Sequence, residues 1–207
     1  MSGVPGFAFS IVLAMSAVLA AIAARNASVT AKTCIDAAAI FYALIAIAQV
    51  SAHTIGDDAV AFATLIVLAM APPVLAVAAY DTLRTRVRSL PAMLVFGASG
   101  VSAAAAILTP HPAFAFLPLI ASVVVMIMLS ADIRFEQQRR ALILVTAAVA
   151  LLASATAFID AGSQAFSLFA SVAVTGVALA VAPASGVLVE HKRQRWTRRT
   201  LAVRRKR

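Results

Sequence analysis

The amino-acid sequence predicts an all-α integral membrane protein, a bundle of seven transmembrane helices. Of the 207 residues, 63% are hydrophobic and only 12% are charged, and the mean hydropathy is +0.99. A soluble domain has about a quarter of its residues charged. Here the charges fall in short clusters between apolar runs, each long enough to cross a hydrocarbon core of about 30 Å as a helix. Soluble enzymes and disordered chains are therefore excluded.

Turn and charge signals divide residues 1–189 into seven spans, followed by a basic tail at 190–207. The first apolar run is longer than the core of about 7–15 residues in a signal peptide, and neither Lys nor Arg precedes it, so we expect a retained helix. The predicted spans are 4–24, 34–53, 59–80, 90–109, 112–131, 141–159 and 164–187.

Two of these spans contain features that bear on helix packing. Pro72 and Pro73 interrupt the third span, where they remove two backbone hydrogen bonds and predict a kink. Around Gly97 and Gly100, the fourth span is nearly bare of large side chains, which predicts a seam where another helix approaches closely. A Pro-containing turn at 109–112 separates the fourth span from the fifth.

The distribution of basic residues predicts the orientation. The first, third and fifth loops and the tail contain every Lys and Arg, whereas the second, fourth and sixth loops contain none. The positive-inside rule then places the amino terminus outside and the carboxyl terminus in the cytoplasm. The basic residues of the loops are Arg25, Lys32, Arg84, Arg86, Arg88, Arg134, Arg139 and Arg140.

The loops are too short to hold a soluble domain, and they contain no phosphate-binding glycine loop and no GxSxG, HExxH or CxxC motif. A single cysteine, Cys34, excludes an intrachain disulfide and a thiolate cluster. We therefore predict no enzyme activity and no cofactor. The high alanine content and the preference for Arg over Lys suggest a bacterial inner or plasma membrane.

The second and third spans carry the candidate transport contacts Asp36, Tyr42, Gln49, Pro72 and Pro73. Asp36 lies about one turn into the membrane, where an ion pair with a nearby basic residue is the alternative to a role in translocation. Tyr42 and Gln49 share one helical face, and such groups also form hydrogen bonds between helices. The carbonyl groups freed by Pro72 and Pro73 could bind a transported solute or ion. The alternative is that the two prolines are tolerated in a helix that serves only packing.

Imidazole and carboxylate groups cluster in the loops predicted to lie outside. His53, Asp57, Asp58 and His111, together with Asp160, are chemically suitable ligands for zinc or a similar divalent ion. Their spacing is not diagnostic of a metal site, and an Asp in front of a helix is also an ordinary N-cap.

The tail interleaves one aromatic residue with basic ones, a pattern seen in nucleic-acid binding. Its position beside a membrane span favours contact with anionic lipid headgroups instead, so we predict no nucleic-acid partner. The predicted lipid-binding residues are Lys192, Arg193, Arg195, Trp196, Arg198, Arg199, Arg204, Arg205, Lys206 and Arg207.

Three functions remain open at this point. The leading hypothesis is a non-catalytic accessory or assembly subunit that packs against larger membrane-protein partners. The second is a small-solute or ion transporter that uses the Pro72–Pro73 break, and the third is a seven-helix membrane sensor.

Overall fold

A computed structural model describes residues 3–83, 112–132, 138–161 and 163–182, together with isolated positions between 97 and 109. Every long element in these described ranges is an α-helix, and none of their residues forms a strand. Five helices are long and apolar enough to cross a membrane. This part of the chain is therefore an all-helical, multi-pass membrane protein.

Residues 3–83, 112–132, 138–161 and 163–182 form six long α-helices, one short α-helix and a 3-10 turn at Ala24–Asn26. The apolar part of the last long helix, Ala165–Val181, is shorter than the five candidate spans. In chain order the helices are α1 (Gly3–Ala23), α2 (Val29–Val50), the one-turn α3 (Ala52–Ile55), α4 (Asp57–Leu83), α5 (Pro112–Asp132), α6 (Gln138–Ala161) and α7 (Ser163–Val181).

Several helix ends differ from the predicted spans because backbone capping, and not hydropathy, decides where a helix stops. α2 begins before residue 34, because the Ser28 hydroxyl accepts a hydrogen bond from the Ala31 amide at 3.2 Å and caps the first turn. It also ends at Val50, before residue 53. Gly56, with φ 87°, then makes the turn into α4, a conformation that costs glycine little.

α4 extends into the predicted loop on each side of the third span, to Asp57 at one end and Leu83 at the other. It begins at Asp57, so that Asp57 and Asp58 stand in its first turn, where carboxylates interact favourably with the helix dipole. The helix is continuous through Pro72 and Pro73, and Pro72 is buried. The predicted proline site is thus part of a continuous, packed helix.

The six long helices pack in a closed ring. α1 contacts α2 and α7, and the ring continues from α2 through α4, α5 and α6 back to α7, which also touches α2 and α4. Alanine and leucine dominate the interior, while large apolar side chains such as Met15, Val18 and Ile22 are more than half exposed on the outside. Such an apolar exterior is what a lipid environment requires.

Two contacts identify the helix ends that share a side of the bundle. The Ser28 hydroxyl donates a hydrogen bond to the Asp81 carboxylate, which joins the start of α2 to the end of α4. Arg140 donates from Nη2 to the Ala182 carbonyl at 3.1 Å, which joins the start of α6 to the end of α7.

The direction of α5 follows from the chain that leads into α6. From Asp132 to Gln138 an extended chain reaches about 20 Å, which is less than the roughly 31 Å length of the 21-residue α5. The end of α5 therefore lies on the same side as the start of α6. α6 begins beside the end of α7, and hydrogen bonds from Ser10 and Ser167 to Gln49 put the starts of α1 and α7 on the same side as the end of α2. Because α1, α2 and α4 alternate in direction, α4 and α5 both begin on that side and run in the same direction.

Candidate functional site

A hydrogen-bonded junction joins three helices at one end of the bundle. The Gln49 side-chain carbonyl oxygen on α2 accepts hydrogen bonds from the hydroxyls of Ser10 on α1, at 3.0 Å, and Ser167 on α7, at 2.6 Å. Both serines are buried. We call Ser10, Gln49 and Ser167 the Gln49 junction. Its bonds hold helices together, which is the alternative to pore lining that the sequence left open.

Tyr42 and Asp36, the other polar candidates on α2, do not form a continuous polar path with the Gln49 junction. Tyr42 lies with Ile35 and Ile45 on the buried face of α2, and its exposed fraction is only 1%. Asp36 lies about a third of a turn away around the helix, on a groove at the surface. The structure thus separates Asp36 from Tyr42 and Gln49.

The α1–α2 groove is a surface furrow of about 520 Å³ with an apolar wall and a charged mouth. Arg25 and Lys32 are exposed, and Asp36 is half-buried. Within the described chain, no ion pair within 4.0 Å connects Asp36 to Arg25 or Lys32. The loop residues Arg84, Arg86, Arg88 and Arg134, which could also pair with Asp36, lie outside the described residues. The apolar wall consists of Ala17, Val18, Ala21, Ile22, Ala39, Ile40 and Ala43.

A second furrow, the α6–α7 groove, has a volume of about 470 Å³ and no charged residue in its lining. Three hydroxyls in its wall donate to carbonyls of their own helices: Ser16 to Val12 at 2.8 Å, Thr146 to Leu142 at 2.9 Å and Ser171 to Leu168 at 2.7 Å. The remaining lining residues are Leu142, Ile143, Val172, Thr175, Gly176 and Leu179.

Gly176 in the α6–α7 groove permits a close helix approach. A Cβ atom added at this glycine would lie 3.0 Å from the Cβ of Ala147 on α6. The two helices are therefore as close as their smallest residues allow.

The remaining sequence candidates are only partly within the described chain. His53 belongs to the backbone of α3, and Asp57 and Asp58 are exposed at the start of α4. His111 and the whole tail, from residue 190 on, lie outside the described residues, and Asp160 is described only as part of helix α6. Within the described chain, no three His, Cys, Asp or Glu side chains form a group suited to a metal ion.

Sequence reasoning missed the polar partners that join helices. Ser10, Ser167 and Ser28 are small hydroxyl residues with no motif around them, and Asp81 lies just beyond the predicted span 59–80. Their similar depth in the membrane could have indicated that they meet, because Ser10, Gln49 and Ser167 all lie within one or two turns of a helix end. Arg140 could have been recognised as a basic residue one turn from the start of a span.

No protein-family model, curated protein or solved structure matches this chain.

Proposed function

We propose that the protein is a non-catalytic accessory or assembly subunit of a membrane-protein complex, in a bacterial inner or plasma membrane. The observation that carries this proposal is that two of the candidate transport residues, Gln49 and Tyr42, make contacts between helices of the bundle. Gln49 is engaged in the junction with Ser10 and Ser167, and Tyr42 is buried in the apolar core. These groups stabilise the bundle and are not free to bind a passing solute.

We further propose seven crossings, with the amino terminus outside. The common direction of α4 and α5 supports a further crossing between them, and residues 84–111 are numerous enough for a crossing of about 20 residues. Helical positions at Gly97, Gly100 and Val101 are compatible with the predicted span 90–109. The alternating positive charge of the loops supports the orientation.

The described positions of this segment support a partner-facing surface. Among the described residues, nothing lies within 4 Å of a Cβ atom built on Gly97 or Gly100. Val101 and Leu108 are 73% and 82% exposed. A surface with small residues that no described helix of this chain covers suits close packing against a helix of another membrane protein.

The native mass of the protein, extracted in a mild detergent and analysed together with everything that accompanies it, tests this function. We expect larger membrane proteins in a fixed ratio. Gly100→Leu should release them without reducing the amount of folded protein, whereas Ala61→Leu, at another exposed small residue, should not. A lone monomer or homodimer would contradict the proposal and bring the transporter hypothesis to first place.

A further inference from the structure

The α1–α2 groove combines apolar and cationic surface in the order found along a phospholipid. Arg25 lies in the 3-10 turn Ala24–Asn26 that follows α1, and Lys32 lies in the first turn of α2, so both cations lie at one end of the furrow. The apolar wall extends from this end to Ala43, eleven residues beyond Lys32, which is about 16 Å at 1.5 Å per residue. That length is close to half of a hydrocarbon core of about 30 Å, or one leaflet.

We propose that the α1–α2 groove binds one anionic phospholipid from the leaflet on the Arg25 side. The phosphate lies between Arg25 and Lys32, and an acyl chain lies against the alanines of the wall. This site is distinct from the basic tail, and it does not depend on the proposed role as an accessory subunit.

Charge decides between a lipid and a partner helix as the occupant. Within the described chain, Arg25 and Lys32 form no ion pair within 4.0 Å with Asp36 or with another acidic side chain, which favours their use in binding a phosphate at the membrane surface. A partner helix would need an acidic residue placed at this end of the furrow to satisfy them, and two if both cations are to be paired. An anionic lipid carries its charge at the interface already.

Asp36 allows a test in which lipid binding should become stronger and not weaker. It lies four residues after Lys32, so both share one face of α2, with the carboxylate one turn deeper. The carboxylate lowers the net charge of the mouth from two to one and weakens the attraction for a phosphate. Removing this charge should therefore strengthen lipid binding, whereas removing either cation should weaken it.

The experiment uses the full chain in nanodiscs made of equal parts of phosphatidylglycerol and phosphatidylcholine. The ratio of the two lipids retained after gentle detergent release is measured by native mass spectrometry. We expect phosphatidylglycerol to be enriched on the wild type. Each neutralised cation, Arg25→Gln or Lys32→Gln, should reduce the enrichment about fivefold, and Asp36→Asn should increase it by a similar factor.

Two controls separate the groove from general attraction to positive charge. Arg139→Gln removes an exposed cation at the start of α6, on the same side of the bundle but outside the groove, and should leave the enrichment unchanged. Ala43→Leu fills the furrow without a change in charge and should reduce retention of both lipids. All variants keep the tail, and circular dichroism confirms that each is folded.

Equal enrichment in the wild type and in the Arg25→Gln Lys32→Gln double variant would overturn the proposal. So would a loss in Arg139→Gln as large as that in Arg25→Gln, because the effect would then follow total charge and not the groove. A co-purified helical protein that is lost from Ala43→Leu, with lipid retention unchanged, would show that a partner helix occupies the furrow instead.

Discussion

The α1–α2 groove and the α6–α7 groove are similar in size but differ in the state of their polar groups. Both open outward from the bundle and both have small residues in their walls. The first has Arg25, Lys32 and Asp36 at its mouth without ion pairs between them. In the second, Ser16, Thr146 and Ser171 donate to carbonyls of their own helices. Among the described residues, charge without an ion pair, and not the shape of the furrow, therefore distinguishes the α1–α2 groove from the α6–α7 groove.

The two helix pairs also use small residues in opposite ways. Gly176 faces Ala147 directly, so the small side chains bring α6 and α7 into contact. In the first pair, alanines such as Ala21 and Ala43 border the furrow, so the missing side-chain volume remains as open space. The same amino acids close one interface and open another, according to whether they face the neighbouring helix.

The largest effect is expected from Gly176→Leu. A bulky side chain in place of the glycine must displace Ala147, whose Cβ would lie only 3.0 Å from an added Cβ. Such overpacking costs about 1–3 kcal/mol of stability. Thermal unfolding in detergent, followed by circular dichroism, measures the loss.

Ala43→Leu is the matched control for this comparison. It adds a leucine to the other furrow, where the new side chain extends into open space, and its effect on stability should stay within about 0.5 kcal/mol. Equal destabilisation by both substitutions would show that the two helix pairs do not differ in closeness of packing.

A smaller loss of stability is expected from Gln49→Leu, which removes the hydrogen bonds between the α1–α2 helix pair and α7 of the α6–α7 pair. Gln49 joins α1 and α2 of the first pair to α7 of the second through two hydrogen bonds. Hydrogen bonds between membrane helices contribute about 0.6 kcal/mol each on average, so we expect a loss of roughly 1 kcal/mol in unfolding free energy. Equilibrium unfolding in a mixture of mild detergent and sodium dodecyl sulfate measures it.

Serine variants of α1 show whether this loss belongs to the junction. Ser10→Ala removes one of its two bonds and should cost about half as much as Gln49→Leu. Ser16→Ala removes a hydroxyl on the same helix that bonds only to the Val12 carbonyl, and it should cost almost nothing. A loss at Ser16 equal to that at Ser10 would mean that the hydroxyls act through their own helices.

Hydropathy predicted where helices occur because length and apolar content are local properties of the chain. Residues 4–24 and 112–131 match α1 and α5 closely. The predicted ends are wrong where side chains contact helix termini. Ser28 caps α2, which begins earlier than predicted. The same Ser28 donates a hydrogen bond to Asp81 in the last turn of α4, which ends later than predicted. These contacts join residues far apart in sequence, which no local window detects.

The candidate site was predictable only in part. The shared face of Tyr42 and Gln49 follows from helical periodicity, and burial of Tyr42 with Ile35 and Ile45 agrees with it. The partner of Gln49 at Ser167 is 118 residues away and depends on α1, α2 and α7 meeting at one end. Asp36 was grouped with Tyr42 by sequence proximity, although the helical period already placed them on different faces.

The smallest effect is expected from Thr146→Val in the α6–α7 groove. The threonine hydroxyl is exposed and donates to Leu142 at 2.9 Å, and valine has nearly the same shape without it. A bond of this kind contributes little to a helix, so stability should change by less than about 0.5 kcal/mol, as measured by thermal unfolding.

Lipid retention in the same variant completes the comparison of the grooves. If the hydroxyls of the α6–α7 groove bound a headgroup, removing one would reduce retention of phosphatidylglycerol, as neutralising Arg25 is expected to do. Because Thr146 already donates within its own helix, it has no hydrogen left for a phosphate. An unchanged lipid ratio in Thr146→Val, beside a reduced one in Arg25→Gln, would assign lipid recognition to the charged groove alone.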